Sequence, residues 1–318
     1  MTAPLRRLAG LLAMASMLLS LWIAAPAAAA DAPTTPAAER DRVLKGDAEC
    51  TQCHNEGDPF PVLAIGKTRH GTTADARTPT CTSCHGESRA HIDKPKGTRE
   101  RPKTDVSFGK GSATAPEKQN GACLTCHKGG KLIYWAGSSH QDNEIACTGC
   151  HQVHAQHDKV RDRSAQVDTC VACHPEQRVQ IRRPSRHPTL EGKVICSDCH
   201  NPHGSPTPGL LVRDSVNETC YTCHMEKRGP FVWNHEPASE NCSICHNPHG
   251  TTNENLLKAR AAFLCQQCHE PTGHRGEVPA LTGANRIHAQ ARACSNCHTN
   301  VHGSNNPGAA SGSRLYQR

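Results

Sequence analysis

The cysteines occur only in pairs separated by two residues, and a histidine follows every pair directly. The copies are Cys50-Cys53-His54, Cys81-Cys84-His85, Cys123-Cys126-His127, Cys147-Cys150-His151, Cys170-Cys173-His174, Cys196-Cys199-His200, Cys220-Cys223-His224, Cys242-Cys245-His246, Cys265-Cys268-His269 and Cys294-Cys297-His298. Two thiols three positions apart on a helical turn can each form a thioether to one haem vinyl group, while the adjacent histidine swings under the ring to the iron. A zinc ribbon would not require a histidine after each second cysteine, and a disulfide framework would not keep so fixed a spacing. No cysteine is left over for either. The reading is ten covalently attached haem c groups, with the twenty cysteines as thioether carriers and the ten motif histidines as proximal iron ligands.

The second axial ligand determines what each iron can do. Beyond residue 30 the only methionine is Met225, so histidine–methionine ligation is excluded at nearly every site. Histidines outside the motifs supply the distal candidates His70, His91, His140, His154, His187, His203, His235, His249, His288 and His302. His157 and His274 are surplus, and His157 rivals His154. The order motif, histidine, motif, histidine repeats five times along the chain. In the string CHNPHG, His203 and His249 stand three residues after a proximal histidine. That is too close to reach the opposite face of the same porphyrin, so each should ligate a neighbouring haem and cross-link successive haems. Which histidine serves which haem stays open at this level. Bis-histidine ligation closes the positions where a small substrate would bind and sets low reduction potentials. The chemistry is electron transfer, with no catalytic constellation.

These groups must be positioned by a chain that cannot build an ordinary core. Aromatic residues make up 3% of the sequence, against 25 glycines and 22 prolines. From Cys123 to Cys294 the motifs recur every 22 to 29 residues, leaving no room for a separate apolar domain. The expected fold is a multihaem cytochrome c: elongated, mostly coil with short α-helices on the motifs, little or no strand, and five two-haem repeats packed around a chain of haems. Residues 1–30, with Arg6 and Arg7 before the apolar run from Leu8 to Ala25 and a small-residue stretch ending at Ala30, read as a secretory signal peptide. Residues 31–122 form an N-terminal region with the first two haems and a basic loop, 123–303 hold haems three to ten, and 304–318 read as a disordered tail. The stretch from Gly86 to Gly121 fills the longest interval between motifs and is the best candidate for a loop or hinge. Beyond the leader no run is apolar and long enough to span a bilayer. The formal charge of +7 includes Arg6 and Arg7, and roughly two propionates per haem would more than cancel the rest, so nucleic-acid binding is not expected.

The runs CYTCHMEKRGPFVWNHEPASENCSICHNPHG from Cys220, RRPSRHPTLEGKVICSDCHNPHG from Arg182 and CLTCHKGGKLIYWAGSSHQDNEIACTGCH from Cys123 resemble the DmsE/MtrA family of decahaem cytochromes, whose relatives include the MtoA and PioA types. The resemblance covers essentially the whole chain after the leader. It implies a periplasmic protein associated with the outer membrane and seated in a β-barrel porin. There it would pass electrons between periplasmic or inner-membrane electron-transfer proteins and the exterior, where an extracellular multihaem cytochrome is a further partner. Coil and loop cannot face lipid because their backbone groups would go unsatisfied, so such a chain needs a barrel around it. Ten haems in contact would span on the order of 80 Å, against roughly 40–45 Å for a bilayer with headgroups. The competing reading is a soluble periplasmic shuttle that feeds a terminal reductase.

Overall fold

Glycine, proline and the haem motifs interrupt the backbone every few residues, so helices stay short. The computed structural model describes residues 47–55, 57–71, 77–269, 294–296 and 298–305. The leader, His274, His288 and Cys297 lie outside these residues. Among those described, the longest α-helix is Pro116–Leu124, and no strand forms beyond isolated bridges such as His200 with Leu211 and His246 with Leu257. No helix among them is long and apolar enough to cross a membrane.

The two-motif repeat is visible in the local structure. At odd-numbered motifs a helix runs into the first cysteine: Ala48–Thr51, Pro116–Leu124, Gln166–Val171, Val216–Tyr221 and Ala261–Cys265. At even-numbered motifs a helical turn begins on the first cysteine: Cys81–His85, Cys147–Gly149, Cys196–Cys199, Cys242–Ile244 and Cys294–Asn296. In both settings one turn brings the histidine beside the thiols. Its N–H donates to the first cysteine's carbonyl, at 2.9 Å for His54 and 3.1 Å for His174.

A buried polar side chain joins the two halves of a repeat. Asp47, Asn120 and Asn217 each stand three residues before an odd-numbered motif. Their side-chain oxygens accept from the N–H of Cys81, Cys147 and Cys242, the first cysteines of the following motifs. This satisfies an otherwise orphaned donor at a helix start. The Asn217 amide also donates to the carbonyls of Ala238, at 3.1 Å, and Ser239, at 2.9 Å. In the third repeat Gln166 plays the related part, accepting from Ser197 N–H at 3.0 Å.

Apolar packing between protein side chains is sparse. Val167, Val171 and Ile181 cluster against Cys196, and among the described residues no large side chain is fully buried. The basic stretch from Gly86 to Gly121 is mostly coil, as the sequence implies, yet it is tied down. Val106 is buried, Ser88 N–H donates to Asp105 at 2.8 Å, and the carbonyls of Pro102 and Val106 receive histidine protons. At the other end Ser304 and Asn305, expected in the tail, instead hold the strand-like segment at Trp233. Ser304 and Trp233 exchange backbone hydrogen bonds at 2.9 Å, and Asn305 accepts from Val232 N–H at 2.7 Å. The rest of the expected tail lies outside the described residues.

Because Asn217 satisfies three backbone groups from one buried position, Asn217→Ala should destabilise the haem-loaded protein by about 2 kcal/mol. A lower denaturant midpoint, with haem content unchanged, is the expected result.

Candidate haem sites

The imidazoles of the motif histidines do not stand alone. His54 faces His91 at a centroid separation of 6.2 Å, His85 faces His154 at 6.2 Å, and His127 faces His70 at 6.0 Å. His151 faces His203 at 5.9 Å, His174 faces His140 at 6.2 Å, and His200 faces His249 at 6.1 Å. His224 faces His187 at 6.3 Å, His246 faces His302 at 6.1 Å, and His269 faces His235 at 6.1 Å. Two imidazoles bonded through Nε2 at about 2 Å on opposite sides of one metal ion would put their centroids roughly 6 Å apart. The donor set therefore fits an iron porphyrin held between two histidines. His298 is among the described residues, whereas its remaining candidate partner, His288, is not.

The ring orientation is fixed from behind. An Nδ1–H that donates to a fixed acceptor leaves Nε2 as the free donor atom and makes it more basic. His85 donates to the Val106 carbonyl at 2.9 Å, His200 to Gly209 at 2.6 Å and His246 to Asn255 at 2.8 Å. On the distal side His91 donates to Pro102 and His154 to Val62, both at 2.7 Å. Two proximal rings are held by carboxylates instead: His54 by Asp58 at 2.8 Å and His151 by Asp158 at 2.6 Å. Burial lowers the pKa of His70, His85, His203, His249 and His302, which keeps these imidazoles neutral with a lone pair available.

Thiol contacts fix the order of the sites. Within each repeat the first cysteines meet, Cys50 with Cys81, Cys123 with Cys147, Cys170 with Cys196, Cys220 with Cys242 and Cys265 with Cys294. Between repeats the second cysteines lie within electrostatic range of one another, Cys84 of Cys126, Cys150 of Cys173, Cys199 of Cys223 and Cys245 of Cys268. Successive motifs thus lie near one another along the described chain.

Known protein families share the haem-binding motif. The doubled CXXCH motif matches residues 187–229 and 235–274, and the NrfB-like cytochrome c-type protein model matches residues 81–173. The chain is 42% identical over 281 residues to the multihaem cytochrome MtrA of Shewanella baltica (strain OS185), an alignment covering 85% of this chain and 82% of that relative. The chain belongs to the MtrA-type multihaem cytochromes. It is an electron-transfer protein rather than an enzyme, and its motifs carry covalently bound haem c.

Within this MtrA-type array the distal histidines follow a crossing rule that spacing alone leaves open. The histidine after an odd-numbered motif faces the next repeat: His70 to His127, His140 to His174, His187 to His224 and His235 to His269. The histidine just after an even-numbered motif faces the previous repeat: His154 to His85, His203 to His151, His249 to His200 and His302 to His246. His203 and His249 face another site, as their spacing requires, but it lies two motifs back and not at the adjacent one. His91 instead turns to His54 in its own repeat. His157 is exposed beside Asp162 and enters none of these pairs.

At the later boundaries between repeats the two exchanged histidines are tied together. His140, His187 and His235 donate to the carbonyls of Pro202, Pro248 and Val301, each the residue before a histidine that faces backward. A glycine follows that histidine at positive φ, and there the chains touch. A Cβ on Gly204 would lie 2.0 Å from the Tyr134 carbonyl oxygen, and one on Gly250 would lie 2.2 Å from that of Gln180. The first boundary has Ala155 in this place and ties His154 to Val62 instead. These glycines, with Asp47, Asn120 and Asn217, are what the motif count misses. Their signal is recurrence at a fixed offset from the motifs.

His154→Ala should leave all haems attached and convert one from low-spin to high-spin, whereas His157→Ala should leave the low-spin signal intact; electron paramagnetic resonance (EPR) of the ferric protein separates the two. The ring planes also differ between sites. They lie near parallel at His54/His91 (5°) and His151/His203 (9°) but near perpendicular at His140/His174 (89°). The same spectrum should therefore hold both ordinary rhombic low-spin signals and highly anisotropic ones with a large principal g.

Proposed function

We propose that the chain carries ten bis-histidine haems and conducts electrons through them in sequence order, across the outer membrane inside a porin partner, between periplasmic carriers and extracellular donors or acceptors. The observation that supports this reading is that, among the described residues, nine motif histidines each face a second imidazole about 6 Å away, at sites that follow one another along the chain. The bound haems supply the reversible one-electron chemistry. The residues of the chain would do the rest: the motif cysteines would anchor each haem, the paired histidines would hold its iron, and backbone carbonyls hold the histidines in place.

The tenth site is assigned by elimination: once the nine facing pairs are made, His288 is the distal candidate left for His298. Closed axial positions leave no place for a substrate to bind, so a site accepts an electron from one neighbour and passes it to the next. A bis-histidine chain runs in either direction, and the partners at its ends determine which.

The porin reading rests on the family resemblance and on the nature of the backbone. A chain of coil and short helices leaves many carbonyls and amides that lipid cannot satisfy, so passage through a bilayer requires a closed sheath. By the same reading residues 1–30 are a signal peptide that takes the chain to the periplasm.

Intact-mass measurement of the purified protein should show the chain from residue 31 with ten haems added. Affinity purification of the tagged cytochrome from detergent-solubilised outer membranes should recover a large β-barrel protein in about equal amount. Recovery of the cytochrome alone from the periplasmic fraction would support a soluble shuttle instead.

A further inference from the structure

The proximal histidines differ in what stands behind them, and the difference is one of charge. His85, His200 and His246 donate to neutral backbone carbonyls. His54 and His151 donate to carboxylates, at 2.8 and 2.6 Å, and both acids are partly shielded from solvent. Asp158 is further pinned by Gln152 N–H, which donates to its second oxygen at 3.2 Å. An ionised acceptor draws the Nδ1 proton more strongly than a neutral one, and the hydrogen bond is about twice as strong. The imidazole then carries more negative charge and becomes a better donor to iron. Ferric iron gains more from that donation than ferrous iron does.

We infer that Asp58 and Asp158 hold the first and fourth haems at lower reduction potentials than the sites whose proximal histidines face carbonyls. The inference rests on the bis-histidine reading above. Reduction at these sites takes up one electron from a neighbouring haem, converting ferric to ferrous iron, while the proton stays on Nδ1 between the ring and the carboxylate. No bond to iron breaks. Asp58 and Asp158 are positioning residues that act through the histidines. Their effect is to give the conductor an uneven profile, in which an electron on the first or fourth haem passes readily to the sites beside it.

A third acid offers a comparison. Glu226 lies 3.7 Å from His224 Nδ1, beyond hydrogen-bonding distance, and both side chains are largely exposed. It has a charge near the ring without the short bond, so it separates simple field effects from donation through the imidazole.

The test is potentiometric titration of the complete holoprotein, followed by optical absorption and by EPR. Asp158→Asn should raise the midpoint of one haem by at least a tenfold change in its oxidation equilibrium, 59 mV for a one-electron couple, and leave the others in place. The largest g value of one near-parallel low-spin signal should move with it. Asp158→Glu, which keeps a carboxylate, should return both most of the way, and Glu226→Gln should produce no comparable change. Unchanged midpoints and g values in Asp158→Asn would overturn the proposal, as would an equal shift in Glu226→Gln. If Asp158→Asn loses its haem, Asp58→Asn decides by the same criteria at the first site. High-spin iron in the unsubstituted ferric protein would overturn the ligation reading itself, a result that leaves its own distinct spectrum.

Discussion

Imidazoles that face one another in pairs, with centroids 5.9 to 6.3 Å apart, are the constraint around which the described part of this protein is arranged. The CXXCH motif delivers one ring and both thiols from a single helical turn, and that turn cannot deliver the second ring. The distal histidine has to arrive from elsewhere in the chain, and in eight of the pairs described it comes from the neighbouring repeat. The other features follow from this exchange. Loops from adjacent repeats must meet closely enough for glycine to be needed at positions 204, 250 and 303. The exchanged histidines must be held against rotation, and backbone carbonyls do so.

The same constraint explains how little conventional core there is. Val167, Val171 and Ile181 form a small cluster, and much of the remaining order comes from hydrogen bonds placed at repeated offsets. Single buried amides such as Asn120 and Asn217 carry weight that a sheet or a leucine-lined helix would carry elsewhere. Without many large apolar side chains, the covalent haems supply both the apolar volume and the cross-links that such a chain otherwise lacks.

Much of this was legible in the sequence because covalent haem attachment has rigid spacing rules. The motif residues, the set of distal candidates and the choice of coil with short helices all follow from cysteine and histidine positions. The pairing did not follow, because a histidine three residues from one motif says only which site it cannot serve. His154 and His157 show the limit well: both lie within a few residues of His151, and only the Val62 carbonyl, some ninety positions away in sequence, orients one of them toward His85. The anchors at Asp47, Asn120 and Asn217 were hidden for a different reason. A polar residue before a helix is common, and its burial against the next motif appears only when the repeats are assembled.

The exchange of one histidine forward and one backward also gives the array a grammar for growth. Removing a whole internal repeat would leave a forward donor facing an odd site and a backward donor facing an even one, so the flanks rejoin in phase. Removing a single motif would break that phase and strand two ligands. A molecule built this way can change its length only in steps of two haems, with its first repeat folding back on itself through His91 and His54.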